Sequence, residues 1–193
     1  MKDTHENMPY LKLALLIASL VPAIASAENW PCWRGPRGDG SSDDKNVPLK
    51  WDATKNEGVV WKVAIPYGGH SSPVVWDGKI FVTGADEANP RRMLMSFDRS
   101  TGKLLWEKEV VQTPLEKKHK LNSWASGTPA TDGALVYVAF LDGKEMVVAA
   151  YDLDGNPKWT VRPGVFSSVH GYCSCPVLFE KTVIVNGDHD GEA

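Results

Sequence analysis

Three short stretches carry residue types able to do chemistry, and each stands ahead of a proline. They are Gly69-His70-Ser71-Ser72 before Pro73, Trp124 to Thr128 before Pro129, and His170-Gly171-Tyr172-Cys173 before Pro176. Imidazole, indole and phenol groups gathered at one place are the usual lining of a ligand pocket, so His70, Trp124, His170 and Tyr172 form a candidate site. Turn and packing roles are the alternative for each. Asp188-His189-Asp190-Gly191-Glu192 sets Asp188, Asp190 and Glu192 at alternate positions, where hard carboxylate oxygens could hold Ca²⁺. Ala193 stands where a calcium loop would put glycine. Asp152-x-Asp154-Gly155-Asn156 opens in the same way, but Pro163 occupies its twelfth position. A polar hairpin tip accounts for both. The motifs G-x-x-x-x-G-K-S/T, H-E-x-x-H and G-x-S-x-G are absent.

Three cysteines complete the reactive inventory: Cys32, Cys173 and Cys175. Cys173 and Cys175 are two apart, which in extended chain nears the upper limit for a disulfide. Cys32 reaches either of them only if the N-terminal segment folds back. Thiols buried as small apolar side chains fit equally well.

The elements that must position these residues are written as a repeat. SFDRSTGKLLW contains Asp98, Thr101, Gly102 and Trp106, and a version one residue shorter, AYDLDGNPKW, contains Asp152, Gly155 and Trp159. Ahead of each copy lies Pro, then Asp-Gly (Asp77-Gly78 and Asp132-Gly133), then an apolar run; a third such block opens at Pro176 with Glu180-Lys181 in place of Asp-Gly. A period of roughly 50 residues points to a solenoid or a propeller. The runs Lys79 to Thr83, Leu135 to Ala139 and Thr182 to Val185 are short, β-branched or aromatic, and bounded by turn residues, so they read as strands. Their apolar residues are consecutive, which predicts burial on both faces, as in a sheet stacked between two others. Four strands parse the first unit, about 72–76, 79–84, 93–97 and 104–110, and the second repeats them from about 128 to 161. No helix is expected.

The string Asp-x-x-Thr-Gly-x-x-x-Trp resembles the tryptophan-docking motif of the pyrroloquinoline-quinone (PQQ) type β-propellers. Asp98 to Trp106 fits it in full, and Asp152 to Trp159 lacks one residue and the threonine. The alanine usual two places before the aspartate is Ser96 in one copy and Ala150 in the other. The resemblance implies an all-β fold of four-stranded antiparallel blades, each pressing its outer-strand tryptophan on the next blade. Trp61, in GVVWKVAI, is then the tryptophan of a lone outer strand at Val59 to Ile65. The expected organisation is a signal peptide over 1–27, an irregular segment over 28–57, and an incomplete propeller over 58–193. Its blades fall at about 72–110 and 128–162, with a partial blade at 174–193. Rings of this family have about seven or eight blades, so the expectation is an N-terminal part of a propeller, completed by missing sequence or by another chain.

Two function classes follow from the resemblance. One is an exported, non-catalytic scaffold binding protein or polysaccharide. The other is part of a PQQ- and calcium-dependent alcohol or sugar dehydrogenase, for which no catalytic residue can be assigned. The adjacent-cysteine disulfide of the PQQ dehydrogenases does not carry over, because Ser174 separates Cys173 from Cys175.

Lys12, the apolar run Leu13 to Val21, and Ala25-Ser26-Ala27 before Glu28 read as a cleaved export signal. The run is too short to span a bilayer. Its loss removes Lys2 and Lys12 against Asp3 and Glu6, so the net charge stays at −3, which argues against a nucleic-acid partner. Lys117, Lys118, His119 and Lys120 read as a solvated loop. Trp30 and Trp33, in a stretch rich in Gly, Pro and Ser, are expected to pack across the propeller surface.

Overall fold

The computed structural model describes residues 27–45 and 47–188. The signal-peptide reading of 1–27, apart from Ala27, and the carboxylates Asp190 and Glu192 fall outside the described residues. Ten strands and no helix are found among them. Strands β1 (Val74–Trp76), β2 (Lys79–Asp86), β3 (Arg91–Asp98) and β4 (Leu104–Gln112) form one antiparallel sheet in sequence order. Strands β5 (Ala130–Thr131), β6 (Leu135–Asp142), β7 (Glu145–Asp152) and β8 (Pro157–Val161) form a second, and β9 (Val177–Phe179) with β10 (Thr182–Ile184) begins a third. The sheets stack side by side without closing. They are blades of a partial propeller.

The consecutive apolar runs behave as their pattern predicts. Positions 92–97, 136–141 and 146–151 of β3, β6 and β7 are buried throughout, because alternate side chains enter opposite inter-sheet layers. Phe81, Ala85 and Leu94 meet Val136, Val138, Phe140, Val147, Ala149 and Tyr151 between the first and second sheets. Ala139, Leu141, Met146 and Val148 face Phe166, Tyr172, Val183 and Val185 on the far side. Val82, Met95 and Phe97 pack with Tyr67 and Ile80 on the outer face of the first sheet.

The tryptophan motif joins one sheet to the next. The Asp98 carboxylate accepts from the backbone N–H groups of Ser100 (3.0 Å) and Thr101 (2.8 Å) and from both their hydroxyls. These bonds hold its pKa below the usual carboxylate value, the Ser100 hydroxyl foremost. They close a turn in which Gly102 takes φ 71°, and on Gly102 lies the Trp61 ring, whose Nε1 donates to Arg99 O at 2.8 Å. The second copy repeats the joint. Trp106 lies over Gly155 (φ 83°) and donates to Leu153 O at 3.1 Å, while Asp152 is held by Asn156 and Lys158 in place of the missing threonine. Trp159 packs against Tyr137 with ring centroids 5.9 Å apart.

Strand register explains the small residue that precedes each aspartate. Ser96 stands opposite Trp106 and Ala150 opposite Trp159, and in both copies a bulge follows immediately. A larger side chain there would contest the indole's position.

One feature differs from expectation. Val59 to Ile65 joins no ladder among the described residues, although Trp61 docks as an outer-strand tryptophan does. An outer strand needs a neighbouring third strand to bond to, and none of the described residues supplies one there. In the Asp77-Gly78 turn it is Asp77, at φ 50°, that adopts the left-handed backbone; Glu180 does the same at φ 52° in the third unit.

A methyl group at Gly102 would lie 2.5 Å from the Trp61 ring, on backbone that disfavours any Cβ. Gly102→Ala is therefore expected to cost about 2 to 3 kcal/mol in denaturant unfolding. Gly78→Ala, with open space around it, is the control and should stay within about 0.5 kcal/mol.

Candidate functional site

The stretches ahead of the three prolines do come together, and backbone bonds sew them sideways. His70 N donates to Ala125 O (3.0 Å) and Ser123 Oγ (3.1 Å), and Ser71 N to Ala125 O (3.1 Å). Ser72 N donates to Thr128 Oγ1 (3.0 Å), Thr83 Oγ1 to Gly127 O (3.0 Å), and Thr128 N to Cys175 Sγ (3.3 Å). Glycine is needed at 127 because a Cβ there would sit 2.8 Å from Ser174 O. The polar groups of this belt are thus engaged in linking one sheet to the next.

Beside the belt opens a cavity of about 860 Å³, lined by Trp33, His70, Tyr172, Cys173, Asn186 and Asp188 among others. His70 and Tyr172 share it. Tyr172 is buried edge-on against Phe166, ring centroids 5.0 Å apart, and burial pushes its phenol pKa up. Trp124 and His170 do not line this cavity; they belong to paired loops at 113–124 and 166–171. Trp124 donates from Nε1 to Glu116 O at 2.7 Å, and Lys118 stands 4.3 Å above its ring. Lys118 of the basic stretch is therefore half-buried, while Lys117, His119 and Lys120 are exposed. The His170 carbonyl accepts from Asn122 Nδ2 at 2.7 Å, and its ring lies 5.8 Å from that of His119.

Trp33, expected to pack across the propeller surface, stands instead 53% exposed at the wall of this cavity. Sequence reasoning did not find the ion pair beneath the Trp124 loop. Arg92 is fully buried in β3 and is held by the Glu116 carboxylate and by Thr113 O at 2.7 Å. Burial raises the Glu116 pKa, with Arg92 pulling the other way. An arginine inside a wholly buried strand is the only signal the sequence offered.

A calcium-bound quinone requires an open aromatic face and a cluster of acidic donors. Among the described residues no three of His, Cys, Asp and Glu gather as a metal site. Trp124 carries Lys118 over its ring and Trp33 carries Arg34, 4.8 Å from its centre. Asp152 is already saturated within its turn. Trp124, Trp33 and Asp152 are thus already engaged with other groups.

The protein family described as "Outer membrane protein assembly factor BamB", a PQQ-repeat family, matches residues 53–192. The chain belongs to that family. Among solved structures, BamB from Moraxella catarrhalis is similar at 19% identity, with a TM-score of 0.52 over 70% of this chain and 39% of that one. A europium-containing methanol dehydrogenase is 24% identical over 47% of this chain and 15% of that one, with a TM-score of 0.35, too slight a fit to weigh. The chain thus spans about two-fifths of the BamB structure. No curated protein sequence matches it. The likeness to BamB is one of fold, the stacked four-stranded antiparallel sheets.

Proposed function

We propose that this chain is part of an exported, non-catalytic propeller that serves as a binding or assembly scaffold for protein or polysaccharide. The ring is completed by further blades, from additional sequence or a second chain. The observation that carries this reading is the belt of bonds from His70 to Cys175, which uses backbone groups and the Ser123, Thr83 and Thr128 hydroxyls to tie one sheet to the next. The family's name describes an assembly factor, and the leader-like start agrees with export. The paired loops nearby expose Leu121 (75%) and Val169 (73%) beside Lys117 and Lys120, a mixed apolar and basic surface suited to a partner.

Mixing the full chain with Ca²⁺ and PQQ is expected to leave the quinone absorption band unshifted and to give no dye reduction with alcohols or sugars. A photo-crosslinking residue at position 121 is expected to give discrete adducts in the cell envelope. A shifted band with substrate-dependent dye reduction, and no adduct, would replace the scaffold by a dehydrogenase.

A further inference from the structure

The N-terminal segment is tied down just before its cysteine. Trp30 and Val75 exchange backbone bonds of 2.8 and 2.9 Å, so the segment extends the free edge of β1. One residue on, Pro31 O accepts from Thr131 N of β5 at 2.8 Å, so the chain crosses to the second sheet. Cys32 then opens a tight turn: Gly35 N donates to Cys32 O at 2.9 Å, and Gly35 takes φ 74° under the Trp30 ring.

Cys175 arrives at the same place from the other side. Its Sγ accepts from Thr128 N, three residues from the Thr131 that holds Pro31. Cys32 and Cys175 line one cavity of about 480 Å³ together with Pro31, Thr131 and Pro176. Cys173 is exposed and lines only the larger cavity beside His70, whereas Cys175 lines both. The half-buried Cys32 thiol has a pKa raised by burial, and the neighbouring Cys175 adds to the rise.

We propose that Cys32 and Cys175 form a disulfide that pins the N-terminal segment across the second sheet to the third, leaving Cys173 as the free thiol. Formation is a two-electron oxidation by thiol–disulfide exchange with a low-molecular-weight disulfide such as glutathione disulfide. The two thiols lose two protons and two electrons as the S–S bond forms, and one glutathione disulfide is reduced to two glutathione molecules. The link closes a loop running through both complete sheets, the kind whose closure most restricts the unfolded chain. It rests on the shared cavity and on the backbone bonds that bring the two segments to Thr128 and Thr131, and not on the scaffold reading.

The test uses the full chain, reduced and then equilibrated with a glutathione–glutathione disulfide buffer before alkylation and mass spectrometry under non-reducing conditions. One alkylated cysteine per chain is expected, at Cys173, with a peptide pair joining Cys32 to Cys175. Cys173→Ser should keep that pair and leave no alkylated cysteine, whereas Cys32→Ser should abolish it. Tryptic cutting at Arg34 and Arg37 should be about 10-fold faster after reduction, and equally fast in Cys32→Ser without reductant. A Cys173–Cys175 link, three alkylated cysteines at equilibrium, or cutting rates that ignore the reductant would overturn the proposal.

Discussion

Trp106→Ala is expected to remove about 3 kcal/mol of stability in denaturant unfolding followed by fluorescence. Trp106 is the docking-motif tryptophan whose joint, among the described residues, is built from both complete sheets. Its ring lies over Gly155, tilted at 42° against Phe81 with centroids 5.9 Å apart, and its indole N–H satisfies Leu153 O. Truncation empties the space between the sheets and leaves a carbonyl without its partner, so packing and hydrogen-bond losses add. Trp106→Phe separates them: it keeps most of the apolar contact, loses the bond, and should cost about 1 kcal/mol more than a fully packed replacement would. A cost below 1 kcal/mol for the alanine variant would show that the sheets hold together without the docking indole.

The second large effect belongs to Arg92. Arg92→Ala is expected to cost about 3 to 5 kcal/mol, because it strands the Glu116 carboxylate beneath the Trp124 loop. Arg92→Met with Glu116→Leu should recover most of that loss, since desolvated charge is then absent on both sides. The pH dependence gives a further check. Burial already raises the Glu116 pKa against a backbone bond and Arg92, and Arg92→Ala removes the Arg92 pull, so the folded variant holds the Glu116 proton more tightly still than the unfolded chain does. The variant is then most stable below the ordinary value of 4.5 and loses stability as pH rises through the raised folded value. The gap from the parent protein should therefore widen between acid and neutral pH. A gap that stays flat would remove Glu116 from the account.

Much of the fold was legible because turn geometry fixes sequence spacing. Asp98 and Gly102 return as Asp152 and Gly155, one residue closer and without the threonine, since one carboxylate must cap nearby N–H groups around a left-handed glycine. The strands β2, β3, β6 and β7 were legible because burial on both faces leaves no room for alternation. What was illegible depends on partners remote in sequence. Glu116 lies 24 residues from Arg92 in a loop whose path no local pattern dictates. Trp76 packs so closely on Gly133 that a Cβ there would come within 2.3 Å of the ring, yet no other Asp-Gly block has a tryptophan before it to mark the contact as a rule. The candidate site was half legible. The repeat brought His70 and Tyr172 to one cavity, but Trp124 and His170 follow loops whose local bonds turn them into a separate rim.

Trp61 reaches forward to the turn after β3, and Trp106 reaches forward to the turn after β7. The coupling between units is therefore directional and chemically the same at each junction. A whole unit can be inserted or excised with every remaining indole still finding an equivalent glycine. Recombination can accordingly alter the number of blades far more freely than point substitution can alter a junction, and a lineage built this way can change its ring size while its junction residues stay fixed.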